Sequence, residues 1–336
     1  MTFLVVGGAG FIGLNLIEEL LSSSEQVISL DKSPIPPAAK KFFSKLPGKF
    51  TSIQLDITNT EDVDRVVSEG DVDVIYYGAA ITAGAEREIS NPLSVFDVNV
   101  SGLLNVLEAG CRVPSVKRII NISSGSAYGN GGFGDTGWND SLDEFGTRED
   151  PQTLYAISKY TGERVALRMG ELLRKSVINV RLSAIFGRWE YDTGVRDTLS
   201  APMQATLLAL KGETALMDRK EERDWTYSRD VARALYKLAN HETINSPLYN
   251  ISSGKSWSVF DWCAVLKMFY PDFNYRLCEF GEVPNIDLFG TRDRIKMSPD
   301  RFLGDIGYTL SANLSEIFED FKMWLNESNG FWDLES

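Results

Sequence analysis

The stretch TFLVVGGAGFIG, residues 2–13, decides how the rest of the chain is read. A short β-branched apolar run leads straight into Gly7, Gly10 and Gly13. The residues that follow, LNLIEELLSSS, place apolar side chains at helical spacing. Strand, glycine turn and helix in this order suit a dinucleotide. Without a Cβ, the turn brings its N–H groups and the helix N-terminus against a pyrophosphate. Phe11 and Ile12 belong to the same contact surface. Asp31 ends the next apolar run, QVISLD, 18 residues beyond Gly13. A carboxylate there accepts hydrogen bonds from ribose hydroxyls and repels a 2′-phosphate, which favours NAD over NADP. Lys32, next door, can soften that preference.

Working outward, the pattern repeats. FTSIQLD precedes the helical TEDVDRVVSEG, VDVIYYGAA precedes a long segment through NVSGLLNVLEAGCRV, and VKRIINISS precedes TLYAISKYTGERVALRMGELLRK. INVRLSAIFG reads as a sixth strand. Alternation of this kind predicts an α/β fold, a Rossmann doubly wound parallel sheet covered by helices on both faces. Asp56, with Ile57 beside it, ends the third strand. It either reaches an adenine amino group or caps the next helix, a duty for which Thr58 competes. Ala79 and Ala80 end the fourth strand in small residues, as suits a chain passing a flat cofactor. Beyond residue 186 the segments shorten and turn aromatic, with Trp189, Trp225, Trp257 and Trp262. We expect a cofactor-binding domain over 1–186 and a smaller C-terminal substrate-binding domain over 187–336, with 224–252 returning to the main body. The glycine-rich run 129–151 is a long loop of the kind that serves function.

Composition narrows the chemistry. The net charge of −13 argues against nucleic acid or an anionic membrane as partner. Cys111, Cys263 and Cys278 are scattered with no C-x-x-C, and His241 is the only histidine. A zinc site, a disulfide framework and a histidine-based triad are therefore not expected, and no metal is. There is no basic leader before the first strand and no apolar run of about 18 residues, so a cytoplasmic protein is expected.

The run TLYAISKY, residues 153–160, supplies a different acid/base. Tyr155 and Lys159 stand one helical turn apart on one face. An ammonium near a phenol stabilises the phenolate and draws its pKa from about 10 towards the working range. NISSGSAYG adds hydroxyls: Ser124 can hold a substrate oxygen while Tyr155 moves its proton, with Ser123 and Ser126 alongside.

Taken together, GGAGFIG, Asp31, Asp56, NVSGLLNVLEA, SSGSAYG, YAISK and RDWTYSRDVARAL occur in an order that resembles the extended short-chain dehydrogenases/reductases. That group contains nucleotide-sugar epimerases and dehydratases, and the resemblance covers most of residues 1–310. It implies an NAD-dependent enzyme with Ser124, Tyr155 and Lys159 as the catalytic set and Lys159 also on the ribose. It implies Asn99 near the site unless it caps a helix. It implies Arg223 on a substrate phosphate unless it pairs with Asp230. A homodimer is implied as well, through helices around 94–110 and 152–174. Gly125 and Ser126 stand where dehydratases and decarboxylases of the group carry acids, which resembles UDP-galactose 4-epimerases. Ala184 stands where the group often has an Asn that helps hold the substrate. Arg188 and Arg196 either join Arg223 in a cationic substrate pocket or balance Glu190, Asp192 and Asp197. Arg292 or Arg294 can close the same site. The resulting expectation is a sugar 4-epimerase acting on a nucleotide sugar. A net dehydrogenase of a sugar or sugar acid is the alternative, and a non-catalytic dinucleotide sensor is a third reading.

Overall fold

The computed structural model describes residues 1–132, 141–196, 198–288, 293–328 and 331. Arg292, Asp197 and the 133–140 part of the long loop lie outside them. The first half alternates strictly, with β1 Thr2–Val6, α1 Phe11–Ser22, β2 Gln26–Asp31, α2 Pro37–Phe43, β3 Lys49–Gln54, α3 Thr60–Glu69 and β4 Val74–Tyr77. Two short helices, α4 Ala85–Ser90 and α5 Pro92–Phe96, lead through a π-helical turn, Asp97–Gly102, into α6 Leu103–Arg112. Then come β5 Arg118–Ser124, α7 Leu154–Leu173 and β6 Ser176–Leu182. Local chemistry sets several boundaries. Thr153 caps α7 by accepting from Ala156 N at 3.1 Å, and Arg174 ends that helix in the left-handed region at φ 52°.

The remaining elements are β7 Ala184–Phe186, α8 Ala201–Lys211, β8 Ala215–Met217, β9 Glu222–Arg223, β10 Trp225–Tyr227, α9 Ser228–Asn240 and β11 Leu248–Ile251, followed by β12 Trp257–Ser258, α10 Val259–Phe269, β13 Tyr275–Leu277, α11 Asp300–Ile306 and α12 Leu314–Glu327. The main sheet runs β3-β2-β1-β4-β5-β6-β11, and every pairing in it is parallel. Strand order reverses between β1 and β4, which opens a crevice at their carboxyl ends.

Period-2 alternation explains the layering. Phe3 and Val5 of β1 pack with α1 and α9, whereas Leu4 and Val6 pack with α3 and α6 on the other face. All five residues of β1 are buried, as a strand covered on both sides requires. The expected sixth strand is broken at Ser183: β6 stays in the sheet, and β7 leaves it to pair with β10. The 224–252 segment holds α9 and β11. Its helix α9 lies on α1, and β11 becomes the seventh strand of the sheet. The aromatic C-terminal part shares one continuous core with the main body, from Leu20 to Trp189 and Trp324, whose rings meet edge-on at 5.0 Å.

Candidate active site

Backbone sterics build the cofactor crevice. Gly7 has φ +84°, and a Cβ on it would lie 2.5 Å from Ala79 N. A Cβ on Gly13 would lie 2.2 Å from Gly7 O, so the turn and α1 close on one another only with hydrogens there. Asp31 is held at the crevice edge by Ala9 N at 3.0 Å and Ser33 N at 2.9 Å, while burial pushes its pKa up. Lys32 is engaged by a different carboxylate. Its Nζ pairs with Asp56 at 2.8 Å, which holds that carboxyl down at about 2. Asp56 also accepts from Thr58 N and Thr58 Oγ1, and α3 is capped instead by Asn59. A cavity of about 500 Å³ lined by Asp31, Lys32, Asp56, Ile57, Ala79 and Ala80 is the adenosine-sized half of the crevice. These residues fit a dinucleotide: a ribose acceptor at one end, a glycine cradle at the other, and small residues between.

A second cavity of about 640 Å³ continues from Gly7, Gly10, Phe11, Ile12 and Gly13 past Ser123, Ser124, Ser126, Tyr155 and Lys159 to Arg196, Arg223 and Arg294. Thr193 and Val195 line both cavities. They belong to a strap joining the two walls of the crevice. Tyr191 Oη donates to Ala9 O at 2.6 Å on one side. On the other, Val195 O accepts from Thr82 N at 3.0 Å and Gly194 O from Arg87 at 2.9 Å.

Ser124 ends β5 and Tyr155 opens α7, so the sheet edge and a helix N-terminus deliver the two hydroxyls to one place. Ser124 Oγ bonds Ser126 Oγ at 3.1 Å. Lys159 Nζ donates to Ile122 O at 2.6 Å, and burial brings its pKa down to about 8, with Glu163 opposing that shift. The phenol departs from the sequence expectation in direction. Burial pushes the Tyr155 pKa up, while Ser124, Thr82, Arg196 and Arg294 partly offset it. Desolvating a phenolate outweighs the donors around it. Ser123 lines the cavity wall but gives its hydroxyl to Glu163 at 2.6 Å.

Asn99 stands beside the site. Its side chain faces the protein, accepting from Ile81 N at 2.8 Å and donating to Ile81 O and to Ser158 Oγ. It braces the site and lines neither cavity. Arg188 is also outside the site. Its buried guanidinium pairs with Glu18 at 2.8 Å and Asp320 at 2.9 Å and bonds Tyr227 Oη at 3.0 Å. It ties α1 to α12, because the chain brings two distant carboxylates to it.

Arg196 does line the cavity, resting over the Phe11 ring and paired with Glu190 at 2.9 Å. Arg223 lines it too, paired with Glu221 rather than Asp230 and donating to Leu288 O at 2.8 Å. Among the described residues of the 291–301 run, Arg294 enters the cavity wall, and the nearby charge of Arg223 helps lower its pKa after burial does. Thr82 and Tyr191 escaped sequence reading. Nothing local marks either, since each matters through a partner far along the chain.

A model of the NAD dependent epimerase/dehydratase family matches residues 3–252. A putative UDP-glucose 4-epimerase of Methanocaldococcus jannaschii is 27% identical over 272 residues, 79% of this chain and 81% of that protein. The UDP-N-acetyl-alpha-D-glucosaminuronate decarboxylase of Bacillus cytotoxicus is 28% identical over 258 residues, 76% of each. Among solved structures, a UDP-glucuronic acid 4-epimerase from Bacillus cereus, in complex with UDP-glucuronic acid and NAD, superposes with a TM-score of 0.76. It is 22% identical and covers 97% of this chain and 99% of that one. A glycine cradle at a strand-order reversal is where such a fold takes its dinucleotide, and the family match begins on that same first strand. The chain therefore belongs to the NAD-dependent epimerase/dehydratase family and is an NAD-dependent enzyme of the extended short-chain dehydrogenase/reductase type.

Proposed function

We propose that the enzyme epimerises a nucleotide sugar at C4 by transient oxidation, with Tyr155 as the acid/base. The observation that carries this reading is the polarity of the catalytic cavity. Among the described residues lining it there are three arginines and no carboxylate. Dehydration or decarboxylation of a ketosugar calls for a further acid, whereas reversible oxidation of an alcohol needs one proton acceptor and one hydride acceptor. Bound NAD supplies hydride transfer at its nicotinamide. The chain supplies the rest. Ser124 holds the sugar oxygen, Tyr155 takes its proton and returns it, and the Lys159 ammonium supports the phenolate. Arg223 and Arg294 face the substrate phosphates, and Arg196 lies across the cavity beside Phe11. The strap from Tyr191 to Arg196 favours a cofactor kept through the cycle, as an epimerase needs.

Relatives are named as acting on UDP-sugars, which supports the nucleotide. Ala184, which lines the cavity where the family often has Asn, supports the alternative of a net dehydrogenase of a sugar or sugar acid. Incubation with UDP-glucose, UDP-galactose and UDP-glucuronic acid, first without and then with added NAD, decides between them. A C4 epimer detected by chromatography with catalytic turnover is expected. NADH accumulating in step with product overturns the epimerase reading. We carry the homodimer into this proposal, supported by the exposed Leu104 on α6 and Leu172 on α7; sedimentation velocity measures it.

A further inference from the structure

A phenol that carries negative charge during proton transfer needs donors aimed at its oxygen. Two hydroxyls that share the catalytic cavity with Tyr155, those of Ser124 and Thr82, partly offset the upward push that burial gives its pKa. Ser124 has a divided role. Its Oγ bonds Ser126 Oγ and accepts from Ser126 N, both at 3.1 Å, and it must also turn to the substrate oxygen.

Thr82 is placed by a rigid relay. Ile81, the preceding residue, is gripped through both backbone groups by Asn99, at 2.8 Å and 3.1 Å. The same Asn99 amide donates to Ser158 Oγ at 2.9 Å, and Ser158 donates to the carbonyl of Tyr155 at 2.7 Å. Both amide hydrogens of this buried side chain are thereby used, and one group fixes the Thr82 segment against the first turn of α7. On its far side Thr82 is pinned by its own N–H to Val195 O at 3.0 Å. Asn99 itself sits in the π-helical turn Asp97–Gly102, a local distortion that frequently accompanies functional sites.

We propose that Thr82 is a further catalytic residue, whose hydroxyl donates to the Tyr155 oxygen and leaves Ser124 free to hold the substrate. The substrate hydroxyl proton passes to the phenolate oxygen, and Thr82 keeps its own proton throughout. The proposal rests on the reading of Tyr155 as acid/base. The charged groups acting on that phenol are Arg196 on the strap and Arg294 in the 293–298 segment; Lys159, on its own helix with Glu163 a turn beyond, lines the same cavity. None of these is altered by a change at Thr82.

The test is an ultraviolet difference titration of the NAD-loaded full-length enzyme, in which subtraction of the Tyr155→Phe variant isolates the Tyr155 phenolate. Thr82→Val removes the hydroxyl and keeps the shape. We expect it to raise the Tyr155 pKa by about half to one unit, the size of one neutral hydrogen bond. Thr82→Ser should restore it, and Thr82→Ala should reproduce the shift if the valine disturbs packing. An unchanged Tyr155 titration in folded Thr82→Val and Thr82→Ala overturns the proposal, because backbone pinning of the strap alone would leave the phenol unmoved. Full turnover of UDP-glucose or UDP-glucuronic acid by Tyr155→Phe would instead overturn the acid/base reading beneath it.

Discussion

At the residue scale, the proposed chemistry rests on Tyr155 and Lys159. Positioned proton transfer contributes roughly 10²–10⁴-fold to rate, so Tyr155→Phe should lower kcat by at least about a hundredfold with little change in KM. Steady-state assay of the UDP-sugar probes measures this. Lys159 sets the alkaline side. Its ammonium is held at about 8 by burial, so its charge is present below that pH and is lost as pH rises through it. If the ammonium supports the phenolate, kcat should fall above about 8, and Lys159→Arg, which keeps the charge, should move that fall to higher pH. A pH–rate profile that stays flat through this range would remove the charge from the mechanism. Asp31 belongs to this scale too. With Lys32 paired to Asp56, its carboxylate stands unopposed at the crevice edge. Asp31→Ser should weaken NAD by about tenfold and lessen the discrimination against NADP, as calorimetry of both cofactors would show.

The elements decide how these residues meet. Ser124 arrives at the end of β5 and Tyr155 in the first turn of α7, and Asn99 holds the segment after β4 against that turn. The strap after β7 is the element-scale feature with the clearest consequence. Its Tyr191 hydroxyl closes on Ala9 O, part of the glycine turn after β1. Losing one neutral hydrogen bond of about 1 kcal/mol should speed NAD release roughly fivefold in Tyr191→Phe. Stopped-flow displacement of bound NAD gives that rate. An off-rate equal to wild type would show that the strap does not retain the cofactor.

At the scale of the whole molecule, Arg188 joins parts that lie far apart in sequence. It pairs with Glu18 and Asp320, while Trp189 beside it donates to Glu18 at 2.5 Å and packs on Trp324. Breaking a buried ion pair on one side costs about 3–5 kcal/mol, because the Glu18 carboxylate stays buried. Arg188→Ala should lower Tm by several degrees while leaving the KM of the surviving folded enzyme unchanged; calorimetry and kinetics together check both. A rise in KM without loss of Tm would return Arg188 to the substrate pocket. The family match ends at residue 252, yet the core does not end there, for α10 and α12 pack into the same cluster as β1.

What the sequence determined by itself is whatever backbone sterics and short-range periodicity control. The glycine spacing after β1, the alternation of strands with helices, Asp31 at a strand end and the Tyr155–Lys159 turn were all legible. Each depends on residues within about 20 positions of one another. Only the tertiary structure decided which charges face the cavity and which are neutralised. Arg188 and Arg196 look alike in one short run, but distant carboxylates bury the first in the core while the second lines the site. Asn99 turned inward, Lys32 turned to Asp56, and Arg294 reached the cavity wall. The physical reason is the same in each case. An ion's role is set by the partners and desolvation that folding brings to it, and those partners lie up to 170 residues away.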